Sequence, residues 1–232
     1  EIGDHISCSF IPSCGKCTWC ARGQQNLCDL GAKLMDPGMI DGTFRHRDAD
    51  GHDLTPLLKL GTFAEHMVLS VDSAIKIQKD VPPGPAALVS CGVTTGYGSA
   101  VYRAEVTAGD TVVVVGCGGL GTAAIQGAKI AGAKNVVAID PSEFKRESAM
   151  EFGATHSAAS VDEAMEMVGA ITEGVMADST ILTPGTLTGD FIAPAQFITR
   201  KGGTIVATAV APIEQMDVTM NLFMFSMMNQ EL

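Results

Sequence analysis

Residues 111 to 121 read TVVVVGCGGLG, a β-branched run that meets a glycine-rich turn, and few folds accept that junction. Thr111-Val112-Val113-Val114-Val115 shows no polar alternation, as a strand covered on both faces requires. Gly116, Gly118 and Gly121 then form a G-x-G-x-x-G loop, and the alanine-rich stretch from Gly119 to Ala131 reads as a helix. Gly116 permits the tight turn, Gly118 lets backbone approach a pyrophosphate, and Gly121 lets the helix lie against the strand. Phosphates rest on the first amides of such a helix. A second strand, Asn135 to Ile139, leads into Asp140, nineteen residues after Gly121, where a carboxylate accepts hydrogen bonds from ribose hydroxyls. That acid repels a 2′-phosphate and favours NAD over NADP. Alone, Asp140 would be an ordinary turn residue before Pro141. With strand, loop, helix, strand and acid in register, it reads as a dinucleotide ligand. Lys145, one turn into the next helix, either reaches the same ribose or is solvated surface.

The alternation continues with a helix over 142–152, a short strand over 154–157 and a helix over 161–171, then a strand over 178–183, a helix over 191–200 and a strand over 204–210. Repeated β-α-β units imply an α/β architecture, a doubly wound parallel sheet of the Rossmann type. Residues 1 to about 92 have another texture, with Asp36-Pro37-Gly38, Asp41-Gly42, Asp50-Gly51 and Val81-Pro82-Pro83-Gly84-Pro85 breaking short apolar runs. Two domains are expected, a small and mostly β one over 1–92 and a dinucleotide-binding one over 93–232. The absence of a first methionine, the turn at Gly3-Asp4 and the apolar run that meets Glu231-Leu232 without a cap read as a chain cut at both ends.

Four of the seven cysteines, Cys14, Cys17, Cys20 and Cys28, fall in the spacing C-x2-C-x2-C-x7-C. Two-residue gaps turn successive thiolates inward on a tight loop, and four such sulfurs close a tetrahedral zinc shell with no position left for substrate, so the ion is structural. An iron–sulfur cluster is the rival, but Asp29 stands where ferredoxin motifs carry proline. Four unligated thiols are the third reading. Cys117, inside the glycine loop, reads as a small side chain that fits; an acidified thiol at the helix start is the alternative.

A net charge of −11 makes the average surface repel polyanions, which counts against nucleic acid and anionic membranes as partners. It also disfavours a zinc-ribbon nucleic-acid binder. No uninterrupted apolar span and no export signal are present, so the expected compartment is the cytoplasm.

A four-cysteine lobe upstream of a glycine-loop unit, with Cys91-Gly92-Val93-Thr94-Thr95-Gly96-Tyr97-Gly98-Ser99-Ala100 between them, resembles the zinc-dependent medium-chain alcohol dehydrogenases. More finely it is similar to the nicotinoprotein branch, assayed with nitrosodimethylaniline and associated with mycofactocin. The resemblance implies a GroES-like catalytic domain, present in part over 1–92, beside the Rossmann domain. It implies NAD(H), two zinc ions per intact subunit, an alcohol or aldehyde as substrate, an external redox acceptor such as mycofactocin, and a homodimer or larger assembly.

Carried over residue by residue, the resemblance makes Cys91 a ligand of the catalytic zinc and puts Thr95 beside the nicotinamide. Leu120 packs on its ring, and Thr208, Ala209 and Val210 meet its carboxamide through backbone. Gly119 belongs to the phosphate loop. Read alone, Cys91 would be a small buried hydrophobe. The remaining catalytic ligands and the proton relay match nothing in this chain, where the histidines at 5, 46, 52, 66 and 156 have no counterpart as ligands. They are expected upstream of Glu1, and the last strand of the sheet is expected to be absent. A formaldehyde-adduct or polyol dehydrogenase of the same superfamily, or a noncatalytic dinucleotide-binding relative, would share these motifs.

Overall fold

Glycine and proline turns keep the elements of residues 1 to 91 short, as the computed structural model, which describes Glu1–Leu232, makes plain. The first of two units, Glu1–Cys91, pairs β1 (His5–Cys8) antiparallel with β4 (Ala74–Ile77), and β2 (His46–Arg47) with β3 (Asp53–Leu54). Helix α1 (Thr18–Ala21) lies inside the cysteine lobe, and α2 (Pro83–Val89) starts where Pro83 presets the helical φ. Lys59 is the largest fully buried side chain of this unit, and its Nζ donates to the carbonyl oxygens of Asp36 and, at 2.9 Å, Gly38. Those contacts satisfy the buried amine and tie two loops together.

The second unit, Gly92–Leu232, opens with α3 (Gly92–Gly98) and a wide π-type turn over Ser99–Arg103. The strands follow as β5 (Thr111–Val115), β6 (Asn135–Ile139), β7 (His156–Ala158), β8 (Ala177–Leu182) and β9 (Thr199–Ala207). They form one parallel sheet in the order β7-β6-β5-β8-β9, the doubly wound arrangement that the β-α alternation implies. Helices α4 (Gly119–Ala131), α5 (Glu143–Phe152), α6 (Val161–Ile171) and α7 (Ile192–Ile198) connect them.

Both faces of the sheet are covered. Val112 and Val114 pack with Ile125, Ala128 and Ala138 on one side, and Val113 and Val115 with Val168, Ile198 and Ile205 on the other. Burial of each valine contributes about 1.5–3 kcal/mol. Helix α4 comes close to α3 only because Gly96 has no side chain, since a Cβ there would lie 2.1 Å from the Leu120 carbonyl oxygen.

The strands expected at 154–157 and 178–183 lie at 156–158 and 177–182, and the last helix and strand depart further. The last helix of the alternation stops at Ile198, not at residue 200, and β9 occupies 199–207 rather than 204–210. Thr199 causes the shift: its backbone is extended, and its hydroxyl bonds the Ala195 carbonyl and the Thr180 hydroxyl at 2.7 Å each. Val210 therefore lies beyond the strand and is exposed. On the outer edge of β9, Thr204 forms a parallel bridge with Glu231.

Helix α8 (Leu222–Met228) is fastened by two buried amides. Gln196 accepts from the Asn221 N–H at 2.9 Å, while Gln230 Nε2 donates to the carbonyls of Gln196 and Thr199 at 2.8 Å each. No helix is long and apolar enough to cross a membrane.

Candidate dinucleotide and metal sites

The glycine loop is built by exclusion of side chains. Gly116 has φ +93°, and a Cβ on it would come within 2.5 Å of the Thr183 carbonyl oxygen. At Gly121 a Cβ would lie 1.8 Å from the Gly116 carbonyl oxygen, so strand end and helix start touch backbone to backbone. Gly118 and Gly119 face open space within 4 Å. The N-cap of α4 is Gly118, which supplies no side-chain acceptor to the first amides. Open space in front of uncapped helix amides fits an anionic pyrophosphate.

Asp140 is buried and braces this loop. Its Oδ2 accepts from the Cys117 N–H at 2.9 Å and its Oδ1 from the Ser142 N–H at 2.9 Å. A carboxylate has about four lone-pair positions, and these two amides take two of them. Lys145 Nζ lies 3.6 Å from Oδ2, and Arg146 donates to the carbonyls of Asp140 and Pro141 at 2.8 and 3.0 Å. Cys117 is buried with Sγ 3.6 Å from the Ile139 carbonyl. Burial, with the Asp140 charge behind it, pushes its thiol up to about 12, the reverse of an activated thiolate.

Sequence reading gave no role to Thr183. Its hydroxyl lies 3.0 Å from the Val115 carbonyl and 2.7 Å from that of Gly116, so it staples the loop to the end of β8. The only signal would have been its place one residue past Leu182, the register partner of Val115. Thr95 is exposed, with its carbonyl accepting from Ser99 Oγ at 2.7 Å. The Thr208 hydroxyl lies 2.9 Å from the same Ser99 oxygen. The Val210 carbonyl accepts from the Leu187 N–H, and Leu120 is half-buried in the first turn of α4.

In the first unit, the sulfurs of Cys14, Cys17, Cys20 and Cys28 all lie within 4.8 Å of one another. Four sulfurs about 2.3 Å from a central zinc would stand about 3.8 Å apart, so the cage fits that ion. The N–H groups of Cys14, Cys17 and Cys20 point at the sulfurs of Cys28, Cys14 and Cys17 at 3.4, 3.4 and 3.5 Å. Such donors stabilise thiolate charge, and the Cys17 thiol is lowered to about 6 by the Cys20 and Asp29 amides.

Cys91 is exposed and, with His5, Cys8 and Ser90, lines a cleft of about 670 Å³ whose other walls include Ile6, Phe10, Leu58 and Ile77. Cys91 belongs to no group of three or more converging metal-binding side chains, so the residues present do not by themselves make a catalytic metal site. A second cluster, Asp48, Asp50 and His52, is exposed on the turn between β2 and β3.

Residues 119–232 match the family model described as zinc-binding dehydrogenase. Over 217 residues the chain is 50% identical to an NDMA-dependent alcohol dehydrogenase of Amycolatopsis methanolica, covering 93% of this chain and 58% of that protein. Residues 119–232 belong to the zinc-binding dehydrogenase family. Alcohol dehydrogenase B of Mycobacterium tuberculosis is 46% identical over 231 residues, 99% of this chain and 61% of the relative. Among solved structures, an alcohol dehydrogenase zinc-binding domain protein from Burkholderia ambifaria superimposes with a TM-score of 0.88 at 26% identity, over 100% of this chain and 62% of that one. The chain thus spans about three fifths of the length of the curated relatives it matches.

Proposed function

We propose that the intact protein is a zinc-dependent alcohol dehydrogenase that moves hydride between a primary or secondary alcohol and NAD(H). One observation carries the reading: a glycine loop shaped by backbone contact and braced by a buried acid, in a chain half identical to an NDMA-dependent alcohol dehydrogenase. The amides at the start of α4, from Gly119 through Leu120 to Gly121, receive the pyrophosphate, with Gly116 and Gly118 shaping the approach. Asp140 uses its remaining lone pairs on the adenosine ribose, and Lys145 flanks it. Thr95 and the 208–210 segment border the nicotinamide. Bound NAD supplies the hydride acceptor. The four-cysteine cage holds structural zinc and keeps its lobe folded. Cys91 is one donor to a second zinc in the intact protein, and a single donor does not fix that ion's position here.

NAD(H) stays bound through turnover, an external acceptor such as mycofactocin reoxidises it, and the protein assembles as a homo-oligomer in the cytoplasm. Support for this finer reading comes from the NDMA-dependent relative and from seven cysteines with no disulfide between them. The test is to denature purified full-length protein, assay released nucleotide, and measure turnover of an alcohol panel with NDMA or with added NAD as acceptor. Release of about one NAD(H) per subunit and turnover with NDMA alone are expected. Protein without nucleotide that turns over no alcohol overturns the reading; turnover with added NAD alone overturns only the retained cofactor.

A further inference from the structure

A buried hydroxyl joins two separate edges of the second unit, and the fold itself gives no reason for it. Ser99 is 6% exposed, at the start of the π-type turn that follows α3. Its Oγ lies 2.7 Å from the Thr95 carbonyl and 2.9 Å from the Thr208 hydroxyl. A carbonyl only accepts, so the single Ser99 proton goes to Thr95, and Thr208 donates to Ser99. The result is a directed chain from Thr208 through Ser99 to the backbone of Thr95.

Helices do not favour serine in this position. A hydroxyl that bonds the carbonyl four residues back competes with the helical ladder, and alanine would be the better helix former. Here the ladder widens into a π-type turn at that residue, a distortion frequent at functional sites.

Topology says what this chain of bonds borders. In an open parallel sheet the ligand lies outside the carboxyl ends of the strands, where the strand order reverses, here between β5 and β8. The glycine loop follows β5 and Asp140 follows β6, so one half of a dinucleotide lies on the β6 side. The other half extends over the ends of β8 and β9. Thr208 is the first residue after β9, and its N–H and that of Ala209 both donate to the Leu182 carbonyl at 3.1 Å. That turn is pinned to β8 by backbone and to Thr95 by Ser99.

We propose that Ser99 is a positioning residue for the nicotinamide half of the cofactor, holding the end of β9 to the backbone of Thr95 through the Thr208 hydroxyl. The proposal rests on the dinucleotide reading above. It is tested on full-length protein freed of nucleotide, by comparing affinity for NADH with affinity for ADP-ribose, which lacks the nicotinamide. Ser99→Ala and Thr208→Val, the latter keeping the side-chain shape, should each weaken NADH about tenfold while ADP-ribose changes by less than about twofold. Thr208→Ser should restore NADH affinity, and the double variant should be no weaker than either single change. Equal losses for both ligands, or NADH affinity within about twofold of wild type in both single variants, would overturn it. Wild-type protein that fails to bind ADP-ribose would sink the dinucleotide reading and this proposal with it.

Discussion

The carboxylate of Asp140 accepts the backbone N–H of Cys117 at 2.9 Å, so the acid at the end of one strand fixes the loop at the end of the next. On the proposed reading its charge faces the adenosine ribose, where it would repel a 2′-phosphate. Asp140→Asn removes the charge and keeps an acceptor. Its NADH affinity should fall modestly, while the preference for NADH over NADPH should shrink by about tenfold or more. Titration of both nucleotides against wild type and variant, followed by fluorescence, reads the ratio; an unchanged ratio would refute the role.

Gly121 and Gly119 sit two residues apart and should answer oppositely to the same change. Gly121→Ala drives a Cβ to 1.8 Å from the Gly116 carbonyl oxygen and 2.8 Å from Thr183 Oγ1. Its thermal unfolding should move down, at a cost of at least about 2 kcal/mol. Gly119→Ala meets nothing within 4 Å and should melt at or above the wild-type temperature, as a helical glycine replaced by alanine does.

Metal analysis of the full-length protein tests the cysteine cage. Replacing both Cys20 and Cys28, its two buried members, by serine should lower bound zinc by about one ion per subunit and destabilise the lobe, because the metal supplies folding energy there. Zinc content equal to wild type would remove the cage from consideration.

Burial of Cys117 has a pH signature. Its thiol is raised from an ordinary value of 9.0 to about 12, so the folded state holds a proton that the unfolded chain releases. The associated stability is complete below pH 9 and is lost as pH climbs from there toward 12. The melting-temperature difference between wild type and Cys117→Ala should therefore shift steadily toward the variant over that range. Iodoacetamide at pH 8 should leave Cys117 unlabelled in the folded protein, with peptide mass spectrometry as the readout.

Much of the second unit was legible because its signals are local. The strands at 111–115 and 135–139 and the helices at 119–131 and 161–171 stand where their residue patterns put them, since β-branched runs and alanine-rich stretches decide their own conformation. Boundaries slipped where a tertiary contact outweighed periodicity. Thr199 leaves the helix because hydroxyl partners on Ala195 and Thr180 await it. The braces of the candidate site were equally hidden. Thr183 meets Gly116 across 67 residues of sequence and Ser99 meets Thr208 across 109, and no short-range pattern encodes such pairs. The buried amine of Lys59 was invisible too, because a lysine in a loop reads as surface until the carbonyls around it are in place.

The two glutamines that fasten α8 have a mechanical outcome. Because Gln196 grips the chain just before that helix and Gln230 grips it just after, residues 222 to 229 form a bight knotted at both necks rather than a fraying tail. Phe223 and Met227 thus face outward from a helix whose leading residue, Asn221, is tied to α7 through Gln196.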